Sequence, residues 1–233
     1  MPSLRSKNAA LGSAVHYALR NLMDAYINTG KLTPIESVLQ DFSTSLRSDK
    51  LSEIEFLDAL KHGQSMLTSY IETKQATFPK KALNEVNFTH HGIVVEEVPI
   101  TGKIDRIDYL DESNNLLGVV DYKTGNPQSA SSKLSTNNLG DYFLQLVFYK
   151  ILVENSHTIK GNVTSGTVEF LQKNTDGKYI SKQFNLTPEN VASVMALTKD
   201  TYGKIMAMDF TRVNTDTYNT CDNPHLHDLP YTF

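Results

Sequence analysis

The chain has 233 residues, of which 39 % are hydrophobic and 21 % charged, and it carries a formal net charge of −4. That balance describes an ordinary globular protein long enough to bury a core, and it excludes a strongly basic coat for non-specific nucleic-acid binding. Cys221 is the only cysteine, so an internal disulfide and a four-cysteine cluster are excluded and a reducing compartment, most simply the cytoplasm, is expected.

No apolar run approaches the ~18 residues needed to span a membrane. The opening MPSLRSKNAALGSAVH lacks the apolar centre of a signal peptide. Residues 1–10 read as a polar tail. Helical spacing of Val15, Leu19, Leu22 and Tyr26 predicts a helix over 11–28, stopped by Gly30. A second helix is expected over 34–47 with Pro34 in its first turn. A third is expected over 52–75, with Ile54, Leu57, Leu60, Leu67 and Ile71 on its buried side, and Pro79 closes the helical region.

The pattern then changes. EVNF, GIVVEEVPI, KIDRIDYL and LLGVVDYK alternate or run apolar within 83–123, separated by HHG and DESNN, and predict a meander of three or four strands. A polar loop over 126–139 leads to a helix over 139–155, with Leu144, Phe148, Ile151 and Leu152 buried. Strands over 163–172 and 178–185 are joined by the turn NTDG. Thr187-Pro188 starts a last helix to about 208, and 209–233 has no clear period. The order predicts a single α/β domain with a helical N-terminal insertion over 30–80.

Residues 102–125, GKIDRIDYLDESNNLLGVVDYKTG, carry the chemistry. Asp121 and Lys123 are two apart on a strand and so share a face. Asp105 lies on the preceding strand. Two carboxylates and an ammonium suit a divalent cation and a scissile phosphate. The same residues also suit surface ion pairs, Asp105 with Arg106 or Lys103 and Asp121 with Lys123. Two features favour a site. Asp121 ends an apolar strand, and Thr124-Gly125 breaks that strand where sites in α/β sheets gather.

In order, LGSAVHYAL, GKIDRID, VVDYKTG and LQLVFYK resemble the RecB-type nucleases of the PD-(D/E)XK superfamily, found in RecB and AddB helicase–nucleases and at the C-termini of UvrD-like helicases. The likeness covers about 10–155. It implies a restriction-endonuclease-like core, a central mixed β-sheet flanked by helices with a helical N-terminal region. It implies a metal-dependent deoxyribonuclease, an exonuclease on single strands or DNA ends, acting in DNA repair with helicase domains as partners and one or two Mg²⁺ or Mn²⁺ ions. By position, His16, Asp105, Asp121 and the Tyr122 carbonyl match the metal ligands, Lys123 the catalytic lysine, and Gln145 and Tyr149 supporting groups. An inactive nuclease fold that binds DNA or a protein is the alternative.

With one cysteine the chain cannot hold the iron–sulphur cluster of many such relatives. The leading helix begins almost at Met1, so an excised domain or a short stand-alone nuclease is expected. Asp141 extends the Gln145–Tyr149 stripe. Glu85 is a candidate supporting acid, and Lys133 and Lys150 are candidate phosphate contacts. His90-His91, His225-x-His227 and Glu96-Glu97 are weaker candidates, better read as solvated side chains. No phosphate-binding P-loop, G-x-S-x-G nucleophile or catalytic-cysteine signature is present.

Overall fold

A computed structural model describes residues 5–136 and 139–209. Helix α1 (Lys7–Thr29) starts where the Ser6 side chain accepts the Ala9 N–H, and it ends at Gly30, whose φ of 68° is left-handed. Its buried stripe runs through Ala10, Ala14, Val15, Ala18, Leu19 and Leu22. Three alanines on that stripe let neighbours approach closely. Helix α2 (Ile35–Ser48) buries Val38, Phe42 and Leu46. Helix α3 (Glu53–Lys74) opens with a capping box between Ser52 and Glu55.

The expected buried side of α3 is wrong in its first two turns. Ile54 and Leu57 are 83 % and 55 % exposed. The buried line starts at Ala59 and runs through Gly63, Met66, Leu67, Tyr70 and Ile71. Gly63 sets it, because a Cβ there would lie 2.1 Å from Cζ of the fully buried Phe42. The α2–α3 contact follows the residue with no side chain, which a count of apolar side chains does not see.

Strand β1 (Ala82–Asn87) is followed by a separate two-strand hairpin, β2 (Val94–Val95) and β3 (Val98–Pro99). The chain then enters β4 (Lys103–Asp111) and β5 (Leu116–Lys123). The predicted meander is therefore three strands with an excursion. GIVVEEVPI folds back at Glu96 and Glu97, whose φ values of 47° and 70° form a left-handed hairpin turn. Neither residue is a usual turn former, so the hairpin left no mark in the sequence.

Helix α4 (Asp141–Glu154) carries the chain across to β6 (Asn162–Lys173), which pairs parallel with β5, as such a step requires. Strand β7 (Tyr179–Asn185) returns antiparallel after a turn at Gly177, φ 72°. Helix α5 (Pro188–Met206) opens with a capping box between Thr187 and Asn190. The five-stranded sheet has the order β1-β4-β5-β6-β7. Val120, Tyr122 and Leu171 pack with α1–α3 on one side. Leu117, Val119 and Val168 pack with α4 and α5 on the other. This is the expected mixed sheet flanked by helices. Leu144 and Phe148 are only partly buried, while Phe143, Leu146, Val147, Ile151, Leu152 and Val153 of the same helix are buried and lie around most of its circumference.

The loop between β5 and α4 is tied down at its far end. The Tyr142 N–H donates to the Lys133 carbonyl at 3.0 Å and the Gly140 N–H to the Ser135 carbonyl at 2.8 Å. Gly140 is required there, since a Cβ would lie 2.5 Å from the Ser132 carbonyl oxygen. Among the described residues no helix is long and apolar enough to cross a membrane. The expectations for 210–233, including His225 and His227, lie outside the described residues.

Candidate metal centre

The β4–β5 ladder runs as far as Arg106 opposite Val120. One step further, a side chain replaces the ladder: Asp105 Oδ2 accepts the Tyr122 N–H at 2.8 Å. Arg106 does not pair with Asp105. It turns to the other face, where it is buried, donates to Asp108 at 2.7 and 2.9 Å and also donates to the Tyr122 hydroxyl. Tyr122 thus pins the end of β5 from below while its main chain meets Asp105 above.

His16 comes to Asp105 from α1. Its Nδ1 is 3.1 Å from Asp105 Oδ1 and 3.4 Å from Glu85 Oε1. Ligand atoms of His16, Glu85 and Asp105 all lie within 4.8 Å of one another, and no other group of three metal-ligating residues is found among the described residues. Glu85 reaches inward from β1 with a φ of 51°, a conformation that costs strain for a non-glycine residue. Lys103 pairs with its other oxygen.

Burial works against a charged His16, but hydrogen bonds and the charges of Asp105 and Glu85 overcome it and raise its pKa to about 10. Glu85 is held below the usual glutamate range: burial opposes this, and His16 and Lys103 outweigh it. A proton on His16 therefore does the work of a positive charge between the two acids.

On β5, Asp121 and Lys123 face α4. Asp121 Oδ1 accepts the Tyr149 hydroxyl at 3.1 Å. Its Oδ2 is buried, and its close partner is the Lys123 ammonium, 2.7 Å away. Lys123 Nζ donates to Gln145 Oε1 at 2.8 Å, and Gln145 Nε2 donates to the Tyr149 oxygen at 2.8 Å. The four residues close a ring. Burial raises the Asp121 pKa; Lys123 pulls it down and the Asp105 charge pushes it up again. Burial and the Asp121 charge also keep the Tyr149 phenol protonated, so it remains a donor. Lys123 Nζ sits 4.5 Å from the centre of the Tyr142 ring.

These donors fit a hard divalent cation. Octahedral Mg²⁺ with ligands at about 2.1 Å puts neighbouring ligands about 3 Å apart, close to the separations of His16 from Asp105 and Glu85. A mixed imidazole and carboxylate set also suits Mn²⁺. The buried Asp121 Oδ2, held among the described residues by the Lys123 ammonium alone, keeps a lone pair to give.

A family model for the PD-(D/E)XK nuclease superfamily matches residues 2–223. The chain belongs to this superfamily. Among solved structures, one described as "Putative exonuclease" from Eubacterium rectale is similar over 100 % of this chain and 78 % of its own, with 13 % identity and a TM-score of 0.53. That likeness concerns the fold alone. A structure described as SSO0001 is 16 % identical over 83 % of this chain and 74 % of its own, and its TM-score of 0.36 carries no argument. Among curated proteins no relative matches.

Within this nuclease fold the remaining candidates separate cleanly. Lys150 is buried and donates to Glu154, Asn162 and the Val163 carbonyl, so it is a structural cation and not a phosphate contact. His91 contacts Ser156, Thr158 and the Phe88 ring, away from the acids. Glu96 pairs with Lys199 on the surface. Asp141 is exposed at the start of α4, and Lys133 is exposed 5.6 Å from the Tyr142 ring. Glu85, read from sequence as a supporting acid, stands in the cluster itself. The signal for it is register: Asn84 pairs with Arg106 and Val86 with Ile104, which sets Glu85 across from Asp105. Tyr142 carries no signal in the sequence, because an aromatic on an amphipathic helix looks like core.

Proposed function

We propose that this chain is a metal-dependent DNA nuclease of the RecB type, built as one nuclease domain, that hydrolyses phosphodiesters in single strands or at DNA ends. The observation that carries this reading is the closed ring Asp121–Lys123–Gln145–Tyr149 set beside the His16–Glu85–Asp105 group. A surface ion pair needs no such support. A ring that fixes an ammonium against a buried carboxylate suits chemistry.

In this reading His16, Glu85, Asp105, Asp121 and the Tyr122 carbonyl hold Mg²⁺ or Mn²⁺. A divalent cation there would supply an activated water at neutral pH and offset phosphate charge. Lys123 bears on the charge that builds at the reacting phosphorus centre. Gln145 and Tyr149 orient Lys123 and Asp121. Asp105 does two tasks, as a ligand and as the acceptor that fixes the main chain of Tyr122. The resemblance to helicase–nucleases supports helicase domains as partners and a role in DNA repair.

The test is incubation with labelled single- and double-stranded DNA in Mn²⁺, in Mg²⁺ and in EDTA, beside Asp121→Ala. Cleavage by the parent with a metal, and by neither the mutant nor the EDTA sample, is expected. A parent that cuts nothing, or a mutant that cuts equally well, overturns the reading.

A further inference from the structure

Between α1, α2, β1 and β4 lies a cleft of about 480 Å³ that opens on His16, Glu85 and Asp105. Its α1 wall is built from small residues, Ala9, Gly12 and Ser13, and its rim carries Tyr17, Arg20 and Lys103. The nuclease reading above uses neither Tyr17 nor Arg20, and Lys103 only as the partner of Glu85. We propose that this cleft seats one unpaired nucleotide of the strand being cut, with Tyr17 stacked on its base and Arg20 and Lys103 on the adjoining phosphates.

The inference rests on the nuclease reading and deepens it by naming the residues that seat the substrate strand. Tyr17 is 43 % exposed and is the only exposed aromatic among the described residues. It follows His16 directly, so it is held at the lip of the metal-ligating group. An aromatic left in solvent beside such a group offers a stacking face, and stacking accepts any base because every base has a π-face. In a duplex both faces of an interior base are covered by its neighbours, so the partner must be unpaired.

The volume lies within the roughly 300–1,000 Å³ of small-ligand sites, the scale of one nucleotide and not of a double helix. Arg20 and Lys103 side chains are 49 % and 57 % exposed, and Lys103 pairs with Glu85 on the cleft floor while keeping N–H groups for a phosphate. Among the described residues Arg20 is tied only to Asp24 at 3.5 Å, an exposed i,i+4 pair of small energy that a phosphate can replace. The two cations also offset the acids of the cleft floor toward an incoming anion.

The test uses a short single-stranded deoxyoligonucleotide carrying 2-aminopurine, bound in Ca²⁺ to the full chain with Asp121→Asn to stop cutting. Quenching of the 2-aminopurine is expected on binding. Adding Tyr17→Ala is expected to weaken binding about 5- to 100-fold, the range for loss of one base–aromatic stack. Tyr17→Phe keeps the affinity. Arg20→Ala and Lys103→Ala each lower the salt slope of binding by about 0.7, one phosphate contact on a single strand. A fully paired duplex shows no dependence on Tyr17.

Tyr17→Ala binding with the parent affinity, or weakening duplex and single strand alike, overturns the cleft assignment. The two readings fail separately. A wild type that cuts no DNA but binds the single strand through Tyr17 sinks the nuclease reading alone. A wild type that cuts normally with Tyr17→Ala unchanged in Kd and KM sinks the cleft alone.

Discussion

Asp105 and Tyr122 meet where the β4–β5 ladder ends, and the Asp105 carboxylate accepts the Tyr122 N–H at 2.8 Å in place of a backbone carbonyl. A residue of the candidate metal group is thus also part of the sheet. Asp105→Ala is expected to remove cleavage and to destabilise the fold by about 1.5–3 kcal/mol, the usual worth of a hydrogen bond to a charged group. Urea unfolding in EDTA checks the second part, since a purely catalytic residue would leave the midpoint unmoved.

Asp121 is expected to behave oppositely. Burial and the charge of Asp105 together disfavour its charged form more than the neighbouring Lys123 favours it. Asp121→Asn removes that desolvated charge, so activity should fall by more than ~100-fold while the metal-free protein is as stable as the parent or more so. A clear drop in the thermal midpoint of the metal-free variant would contradict this.

Gln145 and Tyr149 hydrogen-bond Lys123 and Asp121, and in the proposed reading they act through those two residues. Tyr149→Phe and Gln145→Leu should lower kcat roughly 10- to 100-fold, the usual cost of losing a group that orients a site residue. KM for DNA should change little. The split between kcat and KM, with circular dichroism to verify folding, is the measurement.

The metal-free protein should lose stability in alkali because of His16. Its folded pKa is raised from 6.5 to about 10. A raised pKa means the folded state binds the proton more tightly, so the contribution is fully present below about 6.5 and is lost as pH rises through about 10. Glu85 has the opposite sign: its pKa is lowered, so its contribution is lost in acid. Urea midpoints in EDTA from pH 6 to pH 10 should fall, and His16→Gln should flatten that fall.

Gly63→Ala should destabilise the helical layer by about 1–3 kcal/mol, the range for overpacking a filled core. Its Cβ would lie 2.1 Å from Phe42, which has no room to move. Thermal unfolding reads this directly, and Gly63→Ala with Phe42→Leu should recover part of the loss.

The sequence by itself determined the helices, the strands of the main sheet and the residues of the motifs, but not the β2–β3 hairpin. Those signals are local: an apolar period along α1, a glycine at its end, an acid and a lysine two apart on β5. It also brought out His16, through a pattern that no property of one histidine could supply. Tertiary structure alone decided which side of α3 is buried, because that turns on a fit between Gly63 and Phe42. It alone seated Glu85 across from Asp105 and turned Lys150 into a buried structural cation. It alone showed the cleft beside Tyr17. Each of these depends on what a distant segment brings to the same place, and burial, register and close approach exist only once the chain has folded.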